Sequence, residues 1–144
     1  TVVSRFDGIN VAPLAVRVGA VMPLTASATG RTFLAWLPEQ YTKPILKGEK
    51  PVRGRAAKAQ PSVSALAQIR RDGFVITPGG DGDGMIAIAA PVFDYSRRIQ
   101  CVLTITENAS HLDGAERDAL ARALRQGAEA VSQSAGYRAK ADSA

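Results

Sequence analysis

Met85-Ile86-Ala87-Ile88-Ala89-Ala90-Pro91-Val92 is followed, after Phe93, by the polar run Asp94-Tyr95-Ser96-Arg97-Arg98, and then by Ile99-Gln100-Cys101-Val102-Leu103-Thr104-Ile105-Thr106. The first run is apolar throughout and too short for a typical globular helix, so it reads as a strand covered on both faces. The second alternates, with Cys101, Leu103 and Ile105 toward one side and Val102, Thr104 and Thr106 toward the other. A five-residue polar connection can only join these runs as antiparallel neighbours, because a parallel pair needs a crossover of a dozen residues or more.

Working outward, Phe74-Val75-Ile76-Thr77 reads as a third short strand. It is separated from Met85 by Pro78-Gly79-Gly80-Asp81-Gly82-Asp83-Gly84, which is too glycine-rich for a regular element. Before it, Ser62 opens a helix through Leu66 and Ile69 to Asp72, and Gly73 supplies the stop. Thr25–Leu37 has helical spacing, capped by Thr25 or Ser27, and Glu39–Leu46 reads as a second short helix with Pro38 near its start. After the strands, Asp113-Gly114-Ala115-Glu116 has capping-box spacing, and Leu120, Leu124, Ala128, Val131 and Ala135 define the longest helix, ending at Gly136. At the other end, Val2–Phe6 and Ile9–Val18 flank Asp7-Gly8, a hairpin signal. The expected order is strand–strand–helix–helix–helix–strand–strand–strand–helix. It describes one α+β domain over residues 1–144, an antiparallel sheet flanked by helices.

Composition narrows the function. The chain has 144 residues, 46% of them apolar, which excludes a disordered segment. One cysteine, Cys101, and one histidine, His111, exclude a disulfide framework and a histidine- or cysteine-rich metal site. No apolar run reaches the ~18–20 residues of a membrane span, and no signal peptide is visible, so a soluble cytoplasmic domain is expected. The net charge is +5, and residues 43–58 carry all of the excess. That stretch holds Lys43, Lys47, Lys50, Arg53, Arg55 and Lys58 among two prolines and two glycines. It reads as a solvated loop rather than a phosphate-binding surface, since aromatic platforms are missing.

Apparent catalytic signals fail on spacing. Gly30-Arg31-Thr32 would end a phosphate-binding loop only with glycine at 25 and lysine at 31, where Thr25 and Arg31 stand. Asp81-Gly82-Asp83-Gly84 resembles a calcium loop, but its twelfth position is Val92 instead of a glutamate. Cys101 and His111 would need tertiary help to pair. No catalytic residue, metal site or cofactor is expected. Two features remain open between binding and packing. The small polar segment Thr25–Arg31 opens a helix and could offer N–H groups to an anion, or could pack closely on the sheet. The hydroxyls of Thr104 and Thr106 share a strand face that could line a pocket or meet solvent.

A wider pattern then emerges. Gly19-x-x-x-Pro23-Leu24-Thr25-Ala26-Ser27-Ala28-Thr29-Gly30-Arg31-Thr32-Phe33-Leu34-Ala35-Trp36-Leu37-Pro38 resembles the "PLHATALGKALLAFLP" hallmark of the IclR family of transcriptional regulators. Ile69–Val75 resembles its "vrerGya", Gly84–Asp94 its "GvxsiAaPVfd", and Val102–Thr106 its "aLsvsg" strand; the likeness spans most of residues 9–136. The resemblance implies a GAF/PAS-like (profilin-like) effector-binding domain. It also implies an N-terminally truncated chain, without the family's winged helix-turn-helix. It further implies a ligand-sensing role, with a small-molecule effector such as a carboxylate or aromatic metabolite. The implied assembly is a homo-oligomer, dimer or tetramer, that meets operator DNA only through the missing domain. The positions matching the family's pocket are Ala28, Thr29, Gly30, Thr77, Met85, Ala87, Thr104 and Thr106. Thr25 stands in place of the usual histidine, the usual acidic loop is Gly79–Gly84, and threonines replace two serines. The rival readings are a dimerisation scaffold with a collapsed pocket and, behind it, a small enzyme on the same fold.

Overall fold

The computed structural model describes residues 1–8, 16–49, 60–78 and 84–139. Four helices, α1 (Ala28–Trp36), α2 (Glu39–Gly48), α3 (Val63–Asp72) and α4 (Gly114–Ser134), accompany three strands, β1 (Val75–Pro78), β2 (Met85–Phe93) and β3 (Ile99–Asn108), in these described residues. The strands form one antiparallel sheet in the order β1-β2-β3. Its two faces are covered separately. Ile88, Ala90 and Val92 of β2 pack with Ala121, Leu124 and Ala128 of α4, joined by Cys101, Leu103 and Ile105 of β3. On the opposite face Val75 and Ala89 pack with Ala28 and Ala35 of α1 and Ile69 of α3, with Val102 alongside. The alternation along β3 therefore sorts its side chains as expected, and β2 is buried on both sides.

The helix ends follow the expected chemistry. Ser27 caps α1 by accepting from the Gly30 amide, Ser62 caps α3, and Gly73 closes α3 in the left-handed region. Asp113 and Glu116 complete both halves of the capping box on α4. The α1 carboxyl end is tied to α3 by Arg70, whose Nε donates to the Ala35 carbonyl. Trp36, Phe93 and Tyr137 form an aromatic chain, the first pair edge-to-face at 5.8 Å and the second stacked at 5.3 Å. It links the ends of α1, β2 and α4.

Two expectations are corrected. The N-terminal hairpin about Asp7-Gly8 is not seen among the described residues: none of residues 1–8 or 16–23 is a strand. Val2 instead exchanges backbone bonds with Gly19 and Ala20, and Arg5 reaches the Val16 carbonyl, so the pairing is set farther out than a turn at Asp7-Gly8 would put it. Residues 9–15 of the expected second strand lie outside the described residues. The helix expected over Glu39–Leu46 forms, so the basic stretch is also not a loop from its start. Helix α2 runs on to Gly48 and carries Lys43 and Lys47, despite Pro44 within it, which cannot donate to the preceding turn. The rest of that stretch from Lys50, and the glycine loop 79–83, lie outside the described residues.

Irregularity in the sheet is matched by a helix side chain. The β2–β3 register shifts between Val92 and Phe93. The Phe93 amide donates to Ser132 Oγ of α4 at 2.9 Å, and that hydroxyl donates to the Ala128 carbonyl at 2.7 Å. Ser132 is buried, so Ser132→Ala leaves the part-buried Phe93 amide without its partner. The expected cost is about 1–3 kcal/mol in chemical denaturation; a change near zero would mean that water reaches Phe93.

The β2–β3 turn is built on Asp94. Its Oδ1 accepts from the Ser96 hydroxyl, the Ser96 amide and the Arg98 amide, and its Oδ2 from Gln100. The Ser96 hydroxyl, then the Arg98 amide, hold the Asp94 carboxyl below the usual carboxylate range; desolvation opposes them. A carboxyl acidified by folding contributes stability above its ordinary pKa and loses it as pH falls through the lowered one. Asp94→Asn should therefore flatten the acid limb of melting temperature against pH, with the neutral limb shifted down; an unchanged acid limb would refute this.

Candidate functional site

The β1-β2-β3 register places Thr77, Ala87 and Thr106 in one row across the sheet, and Val75, Ala89 and Thr104 in the next. Because Val75, Ala87 and Ala89 pack toward α1 and α3, alternation places Thr77, Thr104, Thr106 and Met85 on that same face. The first turn of α1 lies over it. Ala28 is buried against Ala89, and Thr29 Oγ1 meets Thr104 Oγ1 at 2.9 Å. The structure thus brings together Ala28, Thr29, Thr77, Met85, Ala87, Thr104 and Thr106 around one end of the α1-facing sheet.

Gly30 belongs to the same turn but faces another way. A Cβ there would stand 2.2 Å from the Pro23 carbonyl oxygen and 2.4 Å from Leu24 Cα. Its amide already donates to Ser27 Oγ at 2.9 Å. The chain preceding the helix crosses directly over Gly30, so the small residues of Thr25–Arg31 serve close packing at this position.

The hydroxyls are not equivalent. Thr104 is exposed and already bonded to Thr29. Thr32, buried within α1, satisfies its hydroxyl on the Ala28 carbonyl at 3.0 Å. Thr77 is 2% exposed, and its Oγ1 has no hydrogen-bond partner. A buried polar group left unpaired is costly, and native structures tolerate few. Sequence reasoning ranked Thr104 and Thr106 as the main hydroxyls; the orphaned one is Thr77, and only the three-dimensional accounting singles it out.

Among the described residues, the other polar groups do not assemble into reactive chemistry. Cys101 at the start of β3 packs toward α4, where burial pushes its thiol pKa up. His111, beyond the far end of β3, pairs with Glu107 at 3.2 Å. Among the described residues no three His, Cys, Asp or Glu side chains cluster as metal ligands, and no helix is long and apolar enough to cross a membrane. A separate open cleft of about 460 Å³ is lined by Arg71, Asp72, Phe74, Asp118, Arg122 and Arg125. It has mixed charge and lies between the end of α3 and α4.

Comparison with known proteins identifies the fold and the family. Residues 1–133 match the family described as bacterial transcriptional regulator IclR, C-terminal. The chain is 28% identical over 140 residues to the HTH-type transcriptional regulator XynR of Escherichia coli K12, covering 95% of this chain and 56% of that protein. Among solved structures it resembles HmgR of Pseudomonas aeruginosa, with 32% identity and a TM-score of 0.71 over 92% of this chain and 53% of that one. The fold is also shared with IclR of Thermotoga maritima, with a TM-score of 0.76 at 22% identity over 92% of this chain and 55% of that one. The chain therefore spans about half the length of these relatives. Its α+β sheet-and-helix arrangement is that of their C-terminal domains, a regulatory rather than an enzymatic unit, and the chain belongs to the IclR family of bacterial transcriptional regulators as a C-terminal domain.

Proposed function

We propose that the domain, taken as one unit over residues 1–144, senses a small effector for a DNA-binding regulator. The effector sits between the first turn of α1 and the Thr77–Ala87–Thr106 end of the sheet. The observation that carries this reading is the buried, unpaired hydroxyl of Thr77, aimed along the face that α1 covers. A ligand carbonyl or carboxylate oxygen there would satisfy it. Thr106 and the Thr29–Thr104 pair offer further hydroxyls, Met85 and Ala87 an adaptable apolar floor, and Ala28 a buried wall, while Gly30 lets the preceding chain set this turn closely. The ligand class is a small carboxylate or aromatic compound. Self-association into a dimer or tetramer, contact with operator DNA through a separate domain of the full regulator, and a cytoplasmic setting complete the proposal. Effector binding would act by favouring one of two subunit arrangements.

Thr77→Val tests the site. Valine keeps the shape and removes the orphaned group, so the ligand-free domain should gain about 1 kcal/mol or more. Affinity for any small acid found by calorimetric titration should fall by about 0.5–1.5 kcal/mol, or roughly 1.5–3 if the bonded atom is charged. Lost stability with unchanged affinity would show that Thr77 is a satisfied core hydroxyl and would remove the pocket from this face. Thr104→Val should behave oppositely without ligand, because it breaks an existing bond to Thr29.

A further inference from the structure

Glu49 caps the carboxyl end of α2, 24 residues beyond Thr25 in sequence, yet its side chain lies against the turn that leads into α1. Its Oε1 accepts from the Leu24 amide. Its Oε2 accepts from the Thr25 hydroxyl at 2.8 Å and the Thr25 amide at 3.3 Å. Two successive amides and a hydroxyl thus converge on one carboxylate, the arrangement of a backbone anion nest. Arg31 reinforces it from α1, donating through Nε to the Thr25 carbonyl at 3.0 Å and bringing a positive charge to the same turn.

The nest is shaped by α1, independently of Glu49. Ser27 bonds the Pro23 carbonyl through both its amide and its hydroxyl, and Gly30 lets the Pro23–Leu24 backbone rest directly on the helix. The donors would therefore keep their aim if the carboxylate were withdrawn. Neither the Leu24 nor the Thr25 amide is part of the sheet-face pocket.

We propose that the Leu24–Thr25 turn is a carboxylate-binding site whose resident ligand is the chain's own Glu49, so that α2 is latched to the α1 entrance and a free small carboxylate can replace the latch. Occupation by an external carboxylate releases the end of α2, which carries Lys47 in its last turn and leads into the Lys50–Lys58 basic stretch. A small acid thereby gains a second point of action on the domain, separate from Thr77.

Amide hydrogen exchange of the Leu24 and Thr25 positions, resolved by NMR, tests this with formate as the probe. Glu49→Ala should speed exchange at these two amides about tenfold or more, since it removes charge-assisted bonds. Titrating sodium formate into that variant should restore protection saturably, while sodium chloride at matched ionic strength should not. In the wild-type chain formate should shift the same two amide resonances only at higher concentration, because Glu49 competes. Unchanged exchange in Glu49→Ala, or equal effects of formate and chloride, would overturn the proposal. Should the alanine variant fail to fold, Glu49→Gln and the wild-type titration decide it. Absence of a formate-dependent shift at Leu24 and Thr25 in both overturns it. Thr77→Val should leave the formate response at these amides unchanged, which keeps the outcome distinct from that of the sheet-face site.

Discussion

Gly30→Ala is expected to lower unfolding free energy by about 3 kcal/mol or more, at or beyond the upper end of ordinary overpacking changes. On an isolated helix the same substitution would be favourable, because alanine loses less backbone entropy. Here the new methyl would overlap the Pro23 carbonyl oxygen at 2.2 Å and the Leu24 carbonyl oxygen at 2.6 Å. Those atoms are backbone, so no flexible side chain can swing away. The Pro23–Leu24 segment would have to lift, breaking the Ser27–Pro23 bonds and the Glu49 contact with Leu24 and Thr25. Urea denaturation measures the effect. A loss under about 1 kcal/mol would mean that the turn re-forms elsewhere at little cost. Gly127 offers a contrast within the same chain: a Cβ there would meet nothing within 4 Å, so Gly127→Ala should stabilise α4.

The second large effect is expected at Ile88. It is fully buried at 0% exposure in the middle of β2, among the α4 residues Ala121, Leu124 and Ala128. Its neighbours on α4 are mostly alanines, whose methyl groups cannot extend to fill a void. Ile88→Ala should therefore cost about 2–5 kcal/mol, toward the upper part of the range for sites that cannot collapse. Ile105→Ala, at the paired position on β3 and only partly buried, should cost less. Equal effects at the two positions would show that α4 closes over the space left by Ile88. Thermal or chemical unfolding of both variants separates these cases.

How far the site could be read depended on the range of the interaction. The faces of β3 followed from strict alternation, and the Val102–Thr104–Thr106 side proved to be the one turned to α1. The resemblance fixed the order of the proposed pocket positions along the chain, and the strand register sets three of them, Thr77, Ala87 and Thr106, abreast. Which hydroxyl lacks a partner depends on every acceptor near it in space, and no local pattern around Thr77 reports that. The Glu49 latch was invisible for the same reason. A glutamate after a helical run and a threonine before another carry no mark of their meeting, and the basic residues around Glu49 suggested a solvated stretch instead.

At the N-terminus local chemistry misled. Asp7-Gly8 between β-branched runs is a sound hairpin pattern, but a two-residue turn competes with any longer-range partner. Val2 finds that partner in Gly19 and Ala20. Helix α2 departs less: the helix expected over Glu39–Leu46 forms, Pro44 included, and runs two residues further to Gly48, into the stretch that the basic and punctuation residues marked as a loop.

The sequence by itself determined what local rules control: the caps at Ser27, Ser62 and Asp113, the stop at Gly73, the turn at Asp94–Arg98, and the antiparallel pairing that a five-residue connection imposes. Each depends on groups a few residues apart, so their chemistry is written in order along the chain. Tertiary structure alone decided which strand face α1 covers, why Gly30 must lack a side chain, which threonine is left unpaired, and where the Glu49 carboxylate rests. Those outcomes depend on packing and on complete hydrogen-bond accounting between segments distant in sequence, and only the folded chain brings those segments together.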